Sequence, residues 1–192
     1  MSIYYKYAPD GSKIVVLFYV DDCVYWYTNE DIGKWFVDTL GKIFHVNFLG
    51  FAHWFMSIRI SQLKDHSISV DQAIYATSVV AKYLDTATVK LSNKFYKTTL
   101  PADMIFTKED VSTSDEQMEK LTRGYVIHYR ACIGSLIYLL STRVDSSFVV
   151  HKLAKFSANP GKVHFEGLVH FIVSNVSQQM YQSLKLYLTR IF

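Results

Sequence analysis

The sequence predicts an α+β fold, with antiparallel strands and helices first and a helical C-terminal half after them. Three observations carry this. Short runs rich in Val, Ile, Tyr, Phe and Trp alternate with turn residues up to about residue 84. Between and beyond these runs, apolar residues recur at helical spacing. Half of the 192 residues are hydrophobic, while glycine and proline number only 8 and 3, which suits a packed core and excludes a collagen-like or low-complexity chain.

The elements follow in order. Ile3–Tyr7 and Lys13–Val20 flank Pro9-Asp10-Gly11-Ser12, a set of turn residues between two strand-like runs. Ile14 to Val20 is continuously apolar, which predicts a strand buried on both faces. Asp21-Asp22 interrupts it, and Cys23-Val24-Tyr25-Trp26-Tyr27 resumes as a second β-rich run, so a hairpin bending at 21–22 is expected. Thr28 or Asn29 can cap a helix whose first turn holds Glu30 and Asp31. Ile32, Trp35, Phe36, Leu40, Ile43 and Phe44 form its apolar face. Trp54–Ile60 and Ser67–Val70 predict another hairpin around Lys64-Asp65-His66. Gln72–Leu84 reads as a helix with Ile74, Tyr75, Val79, Val80, Tyr83 and Leu84 as core candidates.

Residues 85–123 read as a connection rich in Thr, Ser, Asp and Lys, interrupted by Pro101, with a short helix starting near Ser112–Glu116. Tyr129, Cys132, Ile133, Leu136, Ile137 and Leu140 then make a helical stripe. Another helix is expected over Ser146–Ser157, stopped by Ala158-Asn159-Pro160-Gly161, and a last one from near Val163. No internal repeat is visible.

Composition excludes several classes. With two cysteines, Cys23 and Cys132, neither a disulfide framework nor a cysteine zinc site is expected. Residues 1–10 lack an apolar export segment, and the uncharged stretch 167–184 carries Ser, Asn and Gln that lipid would not solvate. A soluble intracellular protein without a membrane partner is the expectation. The net charge of +3 is too small to name a polyanionic partner by itself. It is unevenly spread: residues 1–60 balance at −1 and residues 61–192 at +4.

Tyr19-Val20-Asp21-Asp22 is the motif with chemistry. Adjacent residues within a strand point to opposite faces, but at a hairpin tip both carboxylates can approach one region. A bare Asp-Asp pair is ordinarily a solvated turn. Here it lies between strongly apolar strands, where unpaired carboxylates need water or a cation. Mg²⁺ offers hard-ligand compensation, and paired ions clamp the oxygens of a phosphoryl transfer.

Around this motif the chain resembles the C-terminal half of a copia-type LTR-retrotransposon reverse transcriptase. Tyr19-Val20-Asp21-Asp22 is similar to that family's catalytic palm hairpin. Phe44-His45-Val46-Asn47-Phe48-Leu49-Gly50 with Phe55-Met56-Ser57-Ile58 resembles the segment that follows. Ile68-Ser69-Val70-Asp71-Gln72 with Tyr75 resembles the next strand and helix, and Thr98-Thr99-Leu100-Pro101 a Thr-Pro-Leu turn. Tyr129-Arg130, Gly134–Leu139, Thr142-Arg143-Val144-Asp145 and Ser157-Ala158-Asn159-Pro160 resemble the downstream helical block. The likeness covers roughly residues 3–170 and departs at Asn47, usually acidic, at Ser57, usually glycine, and at Val144, usually proline. It fades after about His170, where the family's basic helix is replaced by a stretch holding only Lys185 and Arg190, as a frameshift or an early truncation would produce.

The resemblance implies a partial polymerase palm over 1–84, a connecting segment over 85–123, and a helical thumb or connection region over 124–192, divergent after about 170. It implies RNA-templated DNA synthesis in the parent enzyme, with Mg²⁺ or Mn²⁺ as cofactor and template-primer and dNTP as partners. Asp21 and Asp22 would be the catalytic, metal-binding residues, with Tyr19 and Val20 beneath the primer end. Arg143, Lys152, Lys155 and Lys162 read either as a solvated basic face or as one that touches nucleic-acid backbone, and the resemblance favours the latter for Arg143, Lys152 and Lys155. The family's first catalytic aspartate and its fingers lie upstream of the matching region, so this chain alone is expected to be inactive. The alternative is a non-enzymatic remnant that binds nucleic acid or protein through an exposed palm surface, including the Ile14–Val20 strand. An unrelated metal-dependent hydrolase would need a further carboxylate or His near Asp21.

The other candidates carry less. The seven histidines are scattered and read as ordinary surface or core residues. The aromatic clusters at 25–27 and 35–36 read as core. Cys23, next to two carboxylates, is a poor nucleophile because they would raise its thiol pKa.

Overall fold

A computed structural model describes residues 1–64, 67–84, 100–101, 104–176 and 184–186, the side chains of 175–176 and 184–186 excepted. It forms two compact units, Met1–Met56 and Ser57–Phe192. Among the described residues there are two small antiparallel sheets and six α-helices, so the α+β class holds.

The first unit is a three-stranded meander, β1 (Ser2–Tyr7), β2 (Lys13–Tyr19) and β3 (Asp22–Tyr27), with one helix on it, α1 (Glu30–Ile43). The first turn is built as its residues predict: the Asp10 carboxylate accepts from the Ser12 N–H (2.9 Å) and hydroxyl (2.7 Å), and Gly11 takes a φ of 83°. Asn29 caps α1, its side chain accepting from the Asp31 N–H at 3.1 Å. The helix approaches β3 so closely that a Cβ on Gly33 would stand 2.9 Å from the Tyr27 ring.

Period-2 alternation divides the sheet. Ile14 and Val16, with Phe18, Cys23, Tyr25 and Tyr27, face Ile32 and Phe36 of α1 and make this unit's core. The opposite side stays open, with Ile3, Tyr5, Tyr7, Tyr19 and Trp26 all exposed. The strand expected to be buried on both faces is therefore covered on one. For the same reason Trp26, expected in the core, is 46% exposed; Trp35 on α1, also expected there, is 42% exposed. Lys13 Nζ lies 5.5 Å from the Trp26 ring and Lys6 Nζ lies 3.6 Å from that of Trp35. Ile43 and Phe44 also lie in solvent, because only the first half of α1 has a sheet beneath it.

The unit ends with β4 (Trp54–Phe55). The single strand expected over Trp54–Ile60 is broken, because Met56 and Ser57 both take left-handed backbone, φ 50° and 58°.

In the second unit β5 (Ile58–Gln62) pairs antiparallel with β6 (Ile68–Asp71). The expected Lys64-Asp65-His66 turn falls partly outside the described residues. The strand β7 (Leu184–Leu186) adds to the other side of β6, with Ile68 opposite Leu186. This strand lies in the stretch after about 170 where the sequence reads as divergent from a helical thumb or connection region.

The helices α2 (Ala73–Leu84), α3 (Asp115–Tyr125), α4 (Tyr129–Leu139), α5 (Ser147–Ala154) and α6 (Lys162–Phe171) enclose the larger core. Ile127, Cys132, Leu153, Phe165, Leu168 and Ile172 are fully buried there. Phe165 packs against Tyr125 and Tyr129, each with ring centroids 5.1 Å away. The Tyr129 hydroxyl donates to the Leu153 carbonyl at 3.0 Å, tying α4 to α5. In α2, Ala76 is buried and Ile74 is 64% exposed; in α4, Leu139 is buried and Ile137 exposed. Both helices thus present a face rotated slightly from the expected one. Helix α3 begins at the Ser114 cap and runs through the end of the stretch read as connection. Residues 85–99 and 102–103 of that connection, including Thr98 and Thr99, lie outside the described residues, as do 177–183 and 187–192 of the divergent end.

The units divide the chain differently from the resemblance. Ser57–Leu84, assigned there to a palm, belongs to the same unit as the later helices.

Candidate functional site

Tyr19 and Asp22 face each other as the last pair of the β2–β3 ladder. The bend between them is therefore Val20-Asp21, one residue earlier than expected. Val20 supplies the reversal with a φ of 50°, unusual for a β-branched residue. The alternation puts Asp22 on the open side of the sheet, beside Tyr19, Leu17, Val24 and Trp26. Asp21 sits at the tip itself.

Both carboxylates are exposed, as is Val20 at 84%. Neither has a hydrogen-bond or ion-pair partner among the described residues. Water therefore meets the solvation requirement that burial between apolar strands would have created. Two free hard oxygen donors suit Mg²⁺ or Mn²⁺, which keep several waters and commonly take one or two carboxylates. Among the described residues no group of three His, Cys, Asp or Glu could hold a metal.

Cys23, the next residue, turns inward onto the α1 side and is half-buried. Burial pushes its thiol above the ordinary value, the cause being desolvation and not the neighbouring carboxylates. Cys132 is buried more deeply, and its thiol is pushed up to about 12. Neither has the depressed pKa of a nucleophile.

The three basic residues do not form one free face. Arg143 Nε and Nη2 donate to the two Asp145 oxygens at 3.0 and 2.9 Å, a fork-to-fork pair with Arg143 largely buried. That hydrogen bonding holds the Asp145 carboxyl below its ordinary range. Lys152 Nζ lies 5.1 Å from the Phe106 ring and 6.0 Å from Phe148. Lys155 is exposed and has no partner among the described residues.

Sequence reasoning allowed an exposed surface at the Ile14–Val20 strand but missed the aromatic residues that line the open side of the first sheet. Its signal was present as the alternation Ile3, Tyr5, Tyr7 with Tyr19 and Trp26, but the apolar run of β2 concealed that only one side is covered.

An exposed pair of carboxylates at the tip of an antiparallel hairpin defines a chain able to present oxygen ligands to a cation. The chain is similar to the Retrovirus-related Pol polyprotein from transposon TNT 1-94 of Nicotiana tabacum, with 24% identity over 169 residues. The match covers 86% of this chain and 12% of that polyprotein, so the chain spans about an eighth of the relative's length. The similarity supports a retroelement origin in a Pol polyprotein. No protein-family model matches the chain. No solved structure matches it. Among the described residues no helix is long and apolar enough to cross a membrane.

Proposed function

We propose that this chain is a piece of a copia-type reverse transcriptase. In this reading it carries the hairpin that supplies two carboxylates to a two-metal nucleotidyl-transfer site. Asp21 binds Mg²⁺ or Mn²⁺ and Asp22 assists, while Tyr19 and Val20 lie beneath the primer end. The bound ions supply the charge neutralisation that phosphoryl transfer requires. The reaction of the parent enzyme is attack of a primer 3′-hydroxyl on the α-phosphorus of a dNTP, directed by an RNA template.

One observation carries the reading: Asp21 and Asp22 stand exposed and unpaired at the end of a tight hairpin. Similarity to a Pol polyprotein over most of the chain agrees with it. The test is primer extension with purified chain, an RNA template and Mg²⁺. No extension is expected from the chain alone, and extension that Asp21→Asn abolishes would overturn that inactivity. The metal role is tested separately by Mn²⁺ binding.

The open aromatic side of the first sheet favours a second reading, a non-enzymatic retroelement remnant that binds nucleic acid or protein. Salt-sensitive nucleic-acid affinity without catalysis supports it. Absence of binding at low salt removes the nucleic-acid form of it.

A further inference from the structure

His164 is fully buried at the third position of α6, and sequence gave it no special role. Its Nδ1 accepts the Gly161 N–H at 2.9 Å, the place that a Glu or Gln takes in a capping box. Nδ1 is thus unprotonated and the proton is on Nε2. Nε2 is buried without a hydrogen-bond partner. The ring lies against two aromatics, with its centroid 4.0 Å from that of Phe156 and 5.3 Å from that of Phe106.

The same imidazole sits under a segment that crosses α6. Phe106 and Met104 lie over Gly167, where a Cβ would fall 2.7 Å from the Phe106 ring. The Asp110 carbonyl presses on Gly161, leaving no room for a Cβ there. The Ser112 hydroxyl donates to the Pro160 carbonyl at 2.6 Å, and the Ser112 N–H to that of Asn159 at 3.3 Å.

We propose that His164 is an acid-sensitive latch: its neutral ring holds residues 104–112 onto the start of α6, and protonation releases them. A proton on Nδ1 would set an N–H against the Gly161 N–H and lose the cap. It would also place a charge in an aromatic cage whose other nitrogen has no acceptor. Burial accordingly holds the imidazole below its ordinary 6.5.

The charged groups on the surrounding elements do not relieve this. They are Lys108, Glu109 and Asp110 on the crossing segment, Lys152 and Lys155 at α5, and Lys162 and Glu166 on α6. Of these, Asp110 bears on the ring and favours the charged form. Its Oδ2 is already committed to the Thr107 N–H and hydroxyl, both at 2.8 Å. Lys162 is paired with Glu166 at 3.7 Å.

The sign follows from the depressed pKa. The latch is fully closed above the free imidazole value and weakens as pH falls below it. Hydrogen exchange of the Ser112, Gly161 and His164 amides in the whole chain tests this between pH 7 and pH 5. After correction for intrinsic rates, the opening constant is expected to rise as pH falls below about 6.5, by at most about tenfold per pH unit. In His164→Gln, which keeps a side-chain acceptor but does not titrate, it is expected to stay flat. In Asp110→Asn the acid response should persist. Equal slopes in wild type and His164→Gln, or loss of the slope in Asp110→Asn, would overturn the proposal. Should His164→Gln not fold, the imidazole signal of the wild type decides by NMR. Protonation well below the free value is expected, and protonation at or above it refutes the latch.

Discussion

Tyr19 stands directly opposite Asp22, so only Val20 and Asp21 separate two strands that are otherwise paired along their whole length. The carboxylates at this bend are held by ladder hydrogen bonds on both sides and not by a mobile loop.

The bend has a conformational cost. Val20 takes a φ of 50°, where a β-branched side chain crowds its own backbone. Val20→Gly is expected to stabilise the first unit by about 1 kcal/mol. Val20→Pro is expected to disrupt the hairpin, because proline fixes φ near −65°. Urea midpoints of the whole chain measure both.

Manganese binding isolates the metal role. With Mn²⁺ at micromolar levels, paramagnetic broadening of amide signals is expected to centre on residues 19–23. The double substitution Asp21→Asn, Asp22→Asn should remove it. Broadening that survives this change would assign the ion elsewhere.

A buried polar pair ties the start of α2 to the end of α4. The Thr142 hydroxyl donates to Gln72 Oε1 at 2.8 Å, both residues being buried, and Gln72 Nε2 has no partner. Thr142→Val should cost about 1–3 kcal/mol by leaving that carbonyl unmet. Adding Gln72→Met should recover most of the loss, which a double-mutant cycle in denaturant reads directly.

Arg143 and Asp145 predict a pH effect. Hydrogen bonding to Arg143 lowers the Asp145 carboxyl from its ordinary 3.8. A depressed carboxylate stabilises the fold above its unfolded pKa and loses that contribution as pH falls through the folded one. Arg143→Ala should therefore move the Asp145 carboxyl upward in an NMR titration and flatten stability against pH below about 4.

The same pair separates the basic residues by salt dependence. If the chain binds nucleic acid, Lys155→Ala should reduce the slope of log affinity against log salt by about 1. Arg143→Ala should change that slope little, because its charge is already matched by Asp145. Equal effects would mean that the pair opens on binding.

Much of the first unit was legible. Pro9-Asp10-Gly11-Ser12 and Asn29-Glu30-Asp31 are local signals whose side chains make the hydrogen bonds that define a turn and a cap. The carboxylate pair was visible for the same reason, but its register was not. Val20 carries no turn signal, and its left-handed backbone is imposed by the pairing on either side. Met56-Ser57 hid in the same way, two ordinary residues bent by context. Exposure of Trp26 was illegible because hydrophobicity does not reveal whether a sheet has one cover or two. The role of His164 depends on contacts with residues far away in sequence, such as Phe106, which no local pattern encodes.

The uncovered aromatic side of the first sheet has a practical outcome. A chain that shows water so many rings is governed in solution by crowding with its own kind as much as by warmth. Its shelf life should shorten as it is concentrated, and dilute samples with mild detergent should outlast dense ones kept cold.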